Sequence, residues 1–398
     1  MRMSAAVTFV LIAVATGASG QDTLRVRSDG PGQWGPNARL THEFTIGELD
    51  GPTEYEFGSV RLVAADSAGA FYVWDDRQTQ IRRYDANGKF ERLIGRRGGG
   101  PGEYQAVKGM DVTREGLLVL FDPRSQRISY FQPDGKVRRE FSLHRGDFFD
   151  AERFSIDTAG LLYLRSRLPG PLEGPTARYQ FLRHSRDGIV VDSIPAPRDE
   201  TPVGSSFLIV TSDGYRFNFP ARQTIDAPYA LGGVVTARAD EYRFVISTPG
   251  QRALVIQRSH SRIPLGAREH EEWLAIARDM PPHLRAPNVR YDAPKLKPVI
   301  RDLFSDHLGR VWVDVYVAAE KRNVKCRRPG NTRPLLTWRE RTTYEVFAST
   351  GVYLGRIQLP PESRLLDVRA NRVYLRTLGP DCEEQVSVYR IQGENLNR

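Results

Sequence analysis

The sequence predicts an all-β fold: a six-bladed β-propeller of four-stranded blades, its ring closed by the chain's own N-terminal strand. Three observations predict it. A unit of turn, strand, loop, strand and turn recurs six times; the sixth unit lacks a fourth strand; and an unclaimed strand, Leu40 to Ile46, precedes the first unit.

The unit is clearest at Asp66-Ser67-Ala68-Gly69, which leads into apolar Ala70 to Trp74 and then Ile81 to Tyr84 and Asp85-Ala86-Asn87-Gly88. It recurs as Thr113 to Gly116, Leu117 to Asp122, Arg127 to Phe131 and Pro133-Asp134-Gly135. Looser copies pair Asp157 to Gly160 with Asp187-Gly188, Gly232-Gly233 with Pro249-Gly250, and Asp306 to Gly309 with Thr350-Gly351; the last turns at Ala370-Asn371. The turns use Gly or Asn because a tight hairpin needs positive φ. Between the two turn glycines of a unit lie spacings of 19, 19, 28, 17 and 42 residues, so length variation falls between the second and third strands. Phe90 to Ile94, Val137 to Leu143, Ile189 to Ile194 and Val352 to Leu359 read as outermost strands. After Gln385 to Arg390 the sixth unit has none, so Leu40 to Ile46 is expected to complete it and remove the open sheet edge. The propeller then covers residues 40–392, with 393–398 as a tail.

Two insertions depart from the repeat. Ser206 to Phe219 reads as an extra hairpin before blade four, and Gly266 to Met280 as the one short helix. Trp273, Ile276, Ala277 and Met280 share a face of that helix, and Pro281-Pro282 ends it. It reads as a flap packed on the disc rather than a lid over the central pocket.

The N-terminus places the chain. Met1 and Arg2 precede an apolar run, Ala5 to Ala15, and Ala18-Ser19-Gly20 supplies small residues before Gln21. This is the pattern of a signal peptide, residues 1–20, cleaved near Gly20 and followed by an N-terminal extension, 21–39. The apolar run is too short to span a bilayer. The mature chain is therefore expected to be exported and without a transmembrane segment, with periplasm and outside medium both open. Net charge is +9, yet only 7 of the 57 basic residues are Lys, so arginine bias in the genome accounts for the excess as well as a polyanionic partner does. Nucleic acid is accordingly disfavoured, and the chain reads as a monomer.

Ile46-Gly47 with Gly51-Pro52-Thr53-Glu54-Tyr55 matches Ile94-Gly95 with Gly100-Pro101-Gly102-Glu103-Tyr104. Both segments connect an outer strand to the next inner one. This Gly-Pro-Gly-Glu-aromatic connection resembles that of NHL-repeat propellers, specifically exported bacterial six-bladed members with no established activity. The resemblance implies a fold and carries no catalytic residue. It also gives Gly95 to Gly102 a structural role; the run lacks the Gly-Lys-Ser/Thr ending and following helix of a phosphate cradle.

No Gly-x-Ser-x-Gly elbow occurs, and no His-Glu-x-x-His, since Leu274 stands where the second His would be. His260, His270 and His283 cluster in sequence at no compact metal-ligand spacing, so they read as solvated side chains. One constellation stands out when units are aligned on their first turn: Arg61, Lys108, Arg153, Arg301 and Arg364 all fall near the start of an innermost strand. Innermost strands surround the axis, so these five are expected to rim one mouth of the channel and focus potential on an anion. The competing expectation pairs each with Glu56, Glu103, Glu152, Asp302 or Glu362 as a structural staple. The blade-five insertion, Glu320 to Arg341, emerges on the same face and carries Arg322, Lys325, Arg327, Arg328 and Trp338, candidates for a partner-docking arm. Cys326 lies in that arm and Cys382 in the corresponding connection of the next blade, so a disulfide between them is expected.

These readings point to a non-catalytic exported propeller that binds an acidic small molecule, a glycan or an envelope protein on one face, with no cofactor. The alternative is a metal-assisted lyase or lactonase in the central pocket, which would need a divalent cation.

Overall fold

A computed structural model describes residues 23–36, 38–144, 150–168, 178–197, 207–210, 216–219, 224–279, 295–324, 326 and 336–396. Residues 1–22, Ser206, Met280, His283, Lys325, Arg327 and Arg328 lie outside them.

Six antiparallel sheets are arranged as blades, each strand adjacent in sequence pairing with the next. Blade one comprises Val60–Ala65, Phe71–Asp75, Gln80–Tyr84 and Phe90–Ile94; blade two Gly109–Val112, Leu118–Asp122, Arg127–Phe131 and Val137–Ser142. Blade three runs from Asp150–Ile156 to Val190–Pro195, blade four from Thr224–Pro228 to Leu254–Gln257, and blade five from Ile300–Ser305 to Tyr353–Gln358. Alternation alone does not place these strands: the second strands Phe71 to Asp75 and Leu118 to Asp122 are buried throughout, because both faces pack on neighbouring blades. Gly69, Gly116, Gly160 and Gly309 take φ of 92°, 82°, 82° and 73° in the turns between first and second strands. In the sixth unit Ala370 takes the left-handed conformation, at φ 52°.

The ring closes as the sequence predicts. Arg39–Ile46 pairs antiparallel with Glu384–Gln392, from Arg39 opposite Gln392 to Ile46 opposite Val386, giving blade six its outer strand. Core clusters straddle blade boundaries; Ile46, Tyr374, Val386 and Val388 of blade six pack with Val63, Phe71 and Tyr84 of blade one.

The N-terminal extension is ordered, which no periodicity in it had signalled. Leu24–Arg27 adds a fifth strand to blade four, parallel to Leu254–Gln257. The Ser28 hydroxyl then donates to Gly351 O of blade five, and Trp34 N to Leu354 O at 2.7 Å. Trp34 is buried against blade five, where Gly355 leaves room for its indole. One segment thus straps blades four, five and six together before it becomes the closing strand. The helix is found at Ala267–Asp279 and the extra hairpin at Phe207–Val210 and Arg216–Phe219.

Trp34→Ala should therefore lower unfolding free energy by about 3 kcal/mol, since a fully buried tryptophan leaves a cavity the strap cannot fill. Equilibrium urea denaturation measures it; a loss below about 1 kcal/mol would show that the strap does not brace the ring.

Candidate functional site

A cavity of about 790 Å³ occupies the axis of the ring. Its walls are the innermost strands, and the arm of blade five extends one side of its mouth through Arg322, Arg339, Glu340, Arg341 and Thr342. The incoming connections are fixed by aspartates at the ends of second strands. Asp75 accepts from Gly58 N at 2.7 Å and Ser59 N at 2.9 Å, and Asp122 from Gln105 N at 2.6 Å. Carboxylates filled by backbone donors hold the chain rigid just before Arg61 and Lys108 turn into the cavity.

Four of the five rim cations line this one cavity: Arg61, Lys108, Arg301 and Arg364. Arg153 lies on the innermost strand of blade three, Asp150–Ile156, with its side chain outside the described residues. The acidic partners differ from those expected. Arg61 stands 3.7 Å from Asp76, not beside Glu56. Arg301 is ion-paired with Glu340, lies 3.4 Å from Asp314, and stacks over the Tyr316 ring at 4.5 Å. Glu362 instead holds Arg339, at 2.5 Å, and Glu103 holds Arg96, at 2.7 Å. Sequence proximity misleads here because the second and third strands of each blade deliver carboxylates to the mouth from residues distant along the chain.

Two cations are differently placed. Lys108 is exposed and has no carboxylate partner among the described residues. Arg341 donates to the Gln358 side chain at 2.9 Å, while its Nε is buried with no hydrogen-bond partner among the described residues. Of the described docking-arm candidates, Arg322 lines the mouth and pairs with Glu320, and the Trp338 amide donates to Glu272 of the helix at 2.9 Å. The helix is thereby a flap fastened to blade five. Beneath it Lys297, fully buried, contacts Glu269 at 2.7 Å and Glu340 at 2.5 Å, so helix, arm and Arg301 share one charge network. Burial pushes the Lys297 ammonium down and the Glu269 carboxyl up. Cys326 and Cys382 form the disulfide, with Cα atoms 5.3 Å apart, tying the arm to blade six beside the cavity wall residues Arg376 and Leu378.

Deeper in, the cavity turns acidic. Asp111 and Asp367 face it from blades two and six, each accepting two backbone amides: Asp111 from Val112 and Ile156, Asp367 from Val368 and Ala65. Each bridges its own innermost strand to that of the next blade. Burial raises the Asp367 carboxyl. His307, in the first turn of blade five, reaches across the axis to within 3.3 Å of Asp111. Nearby, Arg369 of blade six donates to Val112 O of blade two at 3.1 Å. These cross-axis contacts floor the cavity at the end opposite the cationic mouth.

His307, Asp111 and Asp367 were not singled out in the sequence. Lys108-x-x-Asp111 and Arg364-x-x-Asp367 share one spacing on aligned strands, a signal that could have found the carboxylates. Nothing local marks His307, whose partner belongs to the opposite blade. His260 lies edge-on to Tyr242, ring centroids 5.4 Å apart. Among the described residues no group of three or more His, Cys, Asp or Glu side chains is gathered as metal ligands.

The Gly95 to Gly102 loop explains itself. Gly98 N donates to Tyr104 O, and Gly100 N to the Glu103 carboxylate at 2.7 Å, so a backbone carbonyl and an internal carboxylate occupy amides that a phosphate would need.

Residues 44–203, from the closing strand through blade three, match the sequence model of a family described as a 6-bladed beta-propeller. Among solved structures the chain is similar to a candidate exported protein of Bacteroides fragilis, with TM-score 0.48 and 10% identity, over 93% of this chain and 99% of that one. It is similar also to a Bacteroides vulgatus protein, with TM-score 0.48 and 10% identity over 89% and 99%. Virginiamycin B lyase from Staphylococcus aureus gives TM-score 0.39 and 8% identity over 88% and 99%. No curated protein matches the sequence. Among the described residues no helix is long and apolar enough to cross a membrane.

Asp314 supplies a pH test of the mouth. Burial pushes its carboxyl up to about 6, against the pull of Arg301. The folded protein therefore keeps a proton that the unfolded chain releases, so stability falls as pH rises from the ordinary 3.8 toward about 6 and then levels. Asp314→Asn should flatten that fall in thermal unfolding followed between pH 4 and 7. An unchanged slope would place the titration elsewhere.

Proposed function

We propose that this chain is a non-catalytic exported propeller that binds an acidic small molecule or glycan at the cationic mouth of its axial cavity. The observation that carries the reading is the pair Lys108 and Arg341. Both face one cavity on opposite sides of the ring, blades two and five, and neither has a carboxylate partner among the described residues. A desolvated guanidinium nitrogen without an acceptor costs free energy that an anion would recover. Arg61, Arg301, Arg339 and Arg376, held by their own carboxylates, keep the surrounding wall in place.

Export is supported by the leader-like segment Met1 to Gly20 and by the disulfide, which fits an oxidising compartment. The basic arm contributes wall residues to the cavity, which favours a small ligand over a docked protein.

Calorimetric titration with succinate, citrate and oligomeric glucuronate tests the reading. At least one should bind, weakening with added salt. Lys108→Ala and Arg341→Ala should each weaken it by about tenfold while leaving the thermal midpoint within a few degrees. If none of these anions binds the wild-type protein, or binding survives both substitutions unchanged, the cationic mouth is not a binding site.

A further inference from the structure

The cavity is charged oppositely at its two ends, and that polarity says more about the ligand than its mouth alone. Lys108 immediately precedes the innermost strand Gly109–Val112 that carries Asp111, and Arg364 and Asp367 are three residues apart on another. Along blade two, at about 3.3 Å per residue, the cationic and carboxylate tiers lie about 10 Å apart; on blade six a bulge between Leu365 and Asp367 shortens the interval. Between them Leu62, Met110, Phe154, Phe304 and Leu365 give the wall apolar surface, beside the polar Ser155, Asp302 and Ser305. Asp111 and Asp367 retain acceptor capacity, because each oxygen holds two lone pairs and each takes one backbone amide. At the floor the His307 imidazole stands 3.3 Å from Asp111, and the Arg369 guanidinium pulls on the Asp367 carboxylate.

We propose that the cavity takes a zwitterionic ligand of about tripeptide length, its carboxylate at Lys108 and Arg341 and its ammonium at Asp111 and Asp367. This rests on the cationic mouth described above and extends it to the far end of the site. The length follows from the geometry: an extended chain advances about 3.3–3.6 Å per residue, so the termini of a tripeptide span the two tiers. The apolar patches of that wall suit short aliphatic side chains. The amine is recognised by carboxylates already fixed by the backbone, so no reorganisation is needed when it arrives. A carboxyl inclined by burial to keep its proton, as Asp367 is, gives it up most readily when a cation is placed beside it.

The test is calorimetric, using tri-alanine, N-acetyl-tri-alanine and tri-alanine amide at neutral pH. Tri-alanine should bind, and blocking either end should weaken it at least about tenfold, the value of one lost charge-assisted contact. Lys108→Ala should weaken tri-alanine and the acetylated peptide alike. His307→Lys, which sets a permanent cation between the carboxylates, should abolish the advantage of the free amine and leave the acetylated peptide unaffected, the latter serving as the control for folding. If tri-alanine fails to bind, or binds no better than its acetylated form, the zwitterion proposal is overturned. If the acetylated peptide equals tri-alanine and both still depend on Lys108, only the floor assignment falls; if small dianions and peptides alike fail to bind, the mouth assignment falls with it.

Discussion

Everything in this molecule depends on one pairing, Arg39–Ile46 against Glu384–Gln392. A propeller blade buries both faces of its middle strands only when it has neighbours on both sides. The ring therefore has no stable partial form in which the first and last blades lack each other's surface. Joining the two ends of the chain inside a single sheet removes the last open edge and makes closure a property of the backbone ladder. The strap of residues 23–38 extends the same device, since it touches blades four, five and six before the closing strand begins.

Closure is what gives the axis its chemistry. Six innermost strands are brought within side-chain reach of one another, and carboxylates such as Asp111 and Asp367 accept amides from the next blade round. A charged group used this way is both a staple and a feature of the cavity wall. The mouth works on a different balance: most of its cations are held by carboxylates from second and third strands or from the arm, and Lys108 and Arg341 stand apart from that pattern. The disulfide and the Lys297 network fasten the arm and helix to the same wall, so the mouth's shape is set from both blade five and blade six.

How much of this was legible in the sequence varies with the range of the interaction. The turns at Gly69, Gly116 and Gly309, the missing sixth outer strand and the Cys326–Cys382 bond all followed from spacing, because a repeat converts position in sequence into position in the ring. The four described rim cations were found for the same reason. Some partners were not: Glu56 and Glu103 were chosen by nearness along the chain, whereas Asp76, Asp314 and Glu340 arrive from neighbouring strands and from the arm. Leu24–Arg27 escaped notice because four residues pairing parallel at a sheet edge carry no periodicity of their own.

By itself, then, the sequence determined the number of blades, the register of the repeat, the closing strand, the disulfide and the blade positions of four cations that line the axial cavity. Each is encoded locally, in turn residues and alternating apolar runs repeated often enough to be aligned. Only the tertiary structure decided which of those cations are neutralised, where the cavity ends, and that His307 stands against Asp111 from the opposite side of the ring. Those facts depend on distances across the axis, which closure of the ring sets and no single blade contains.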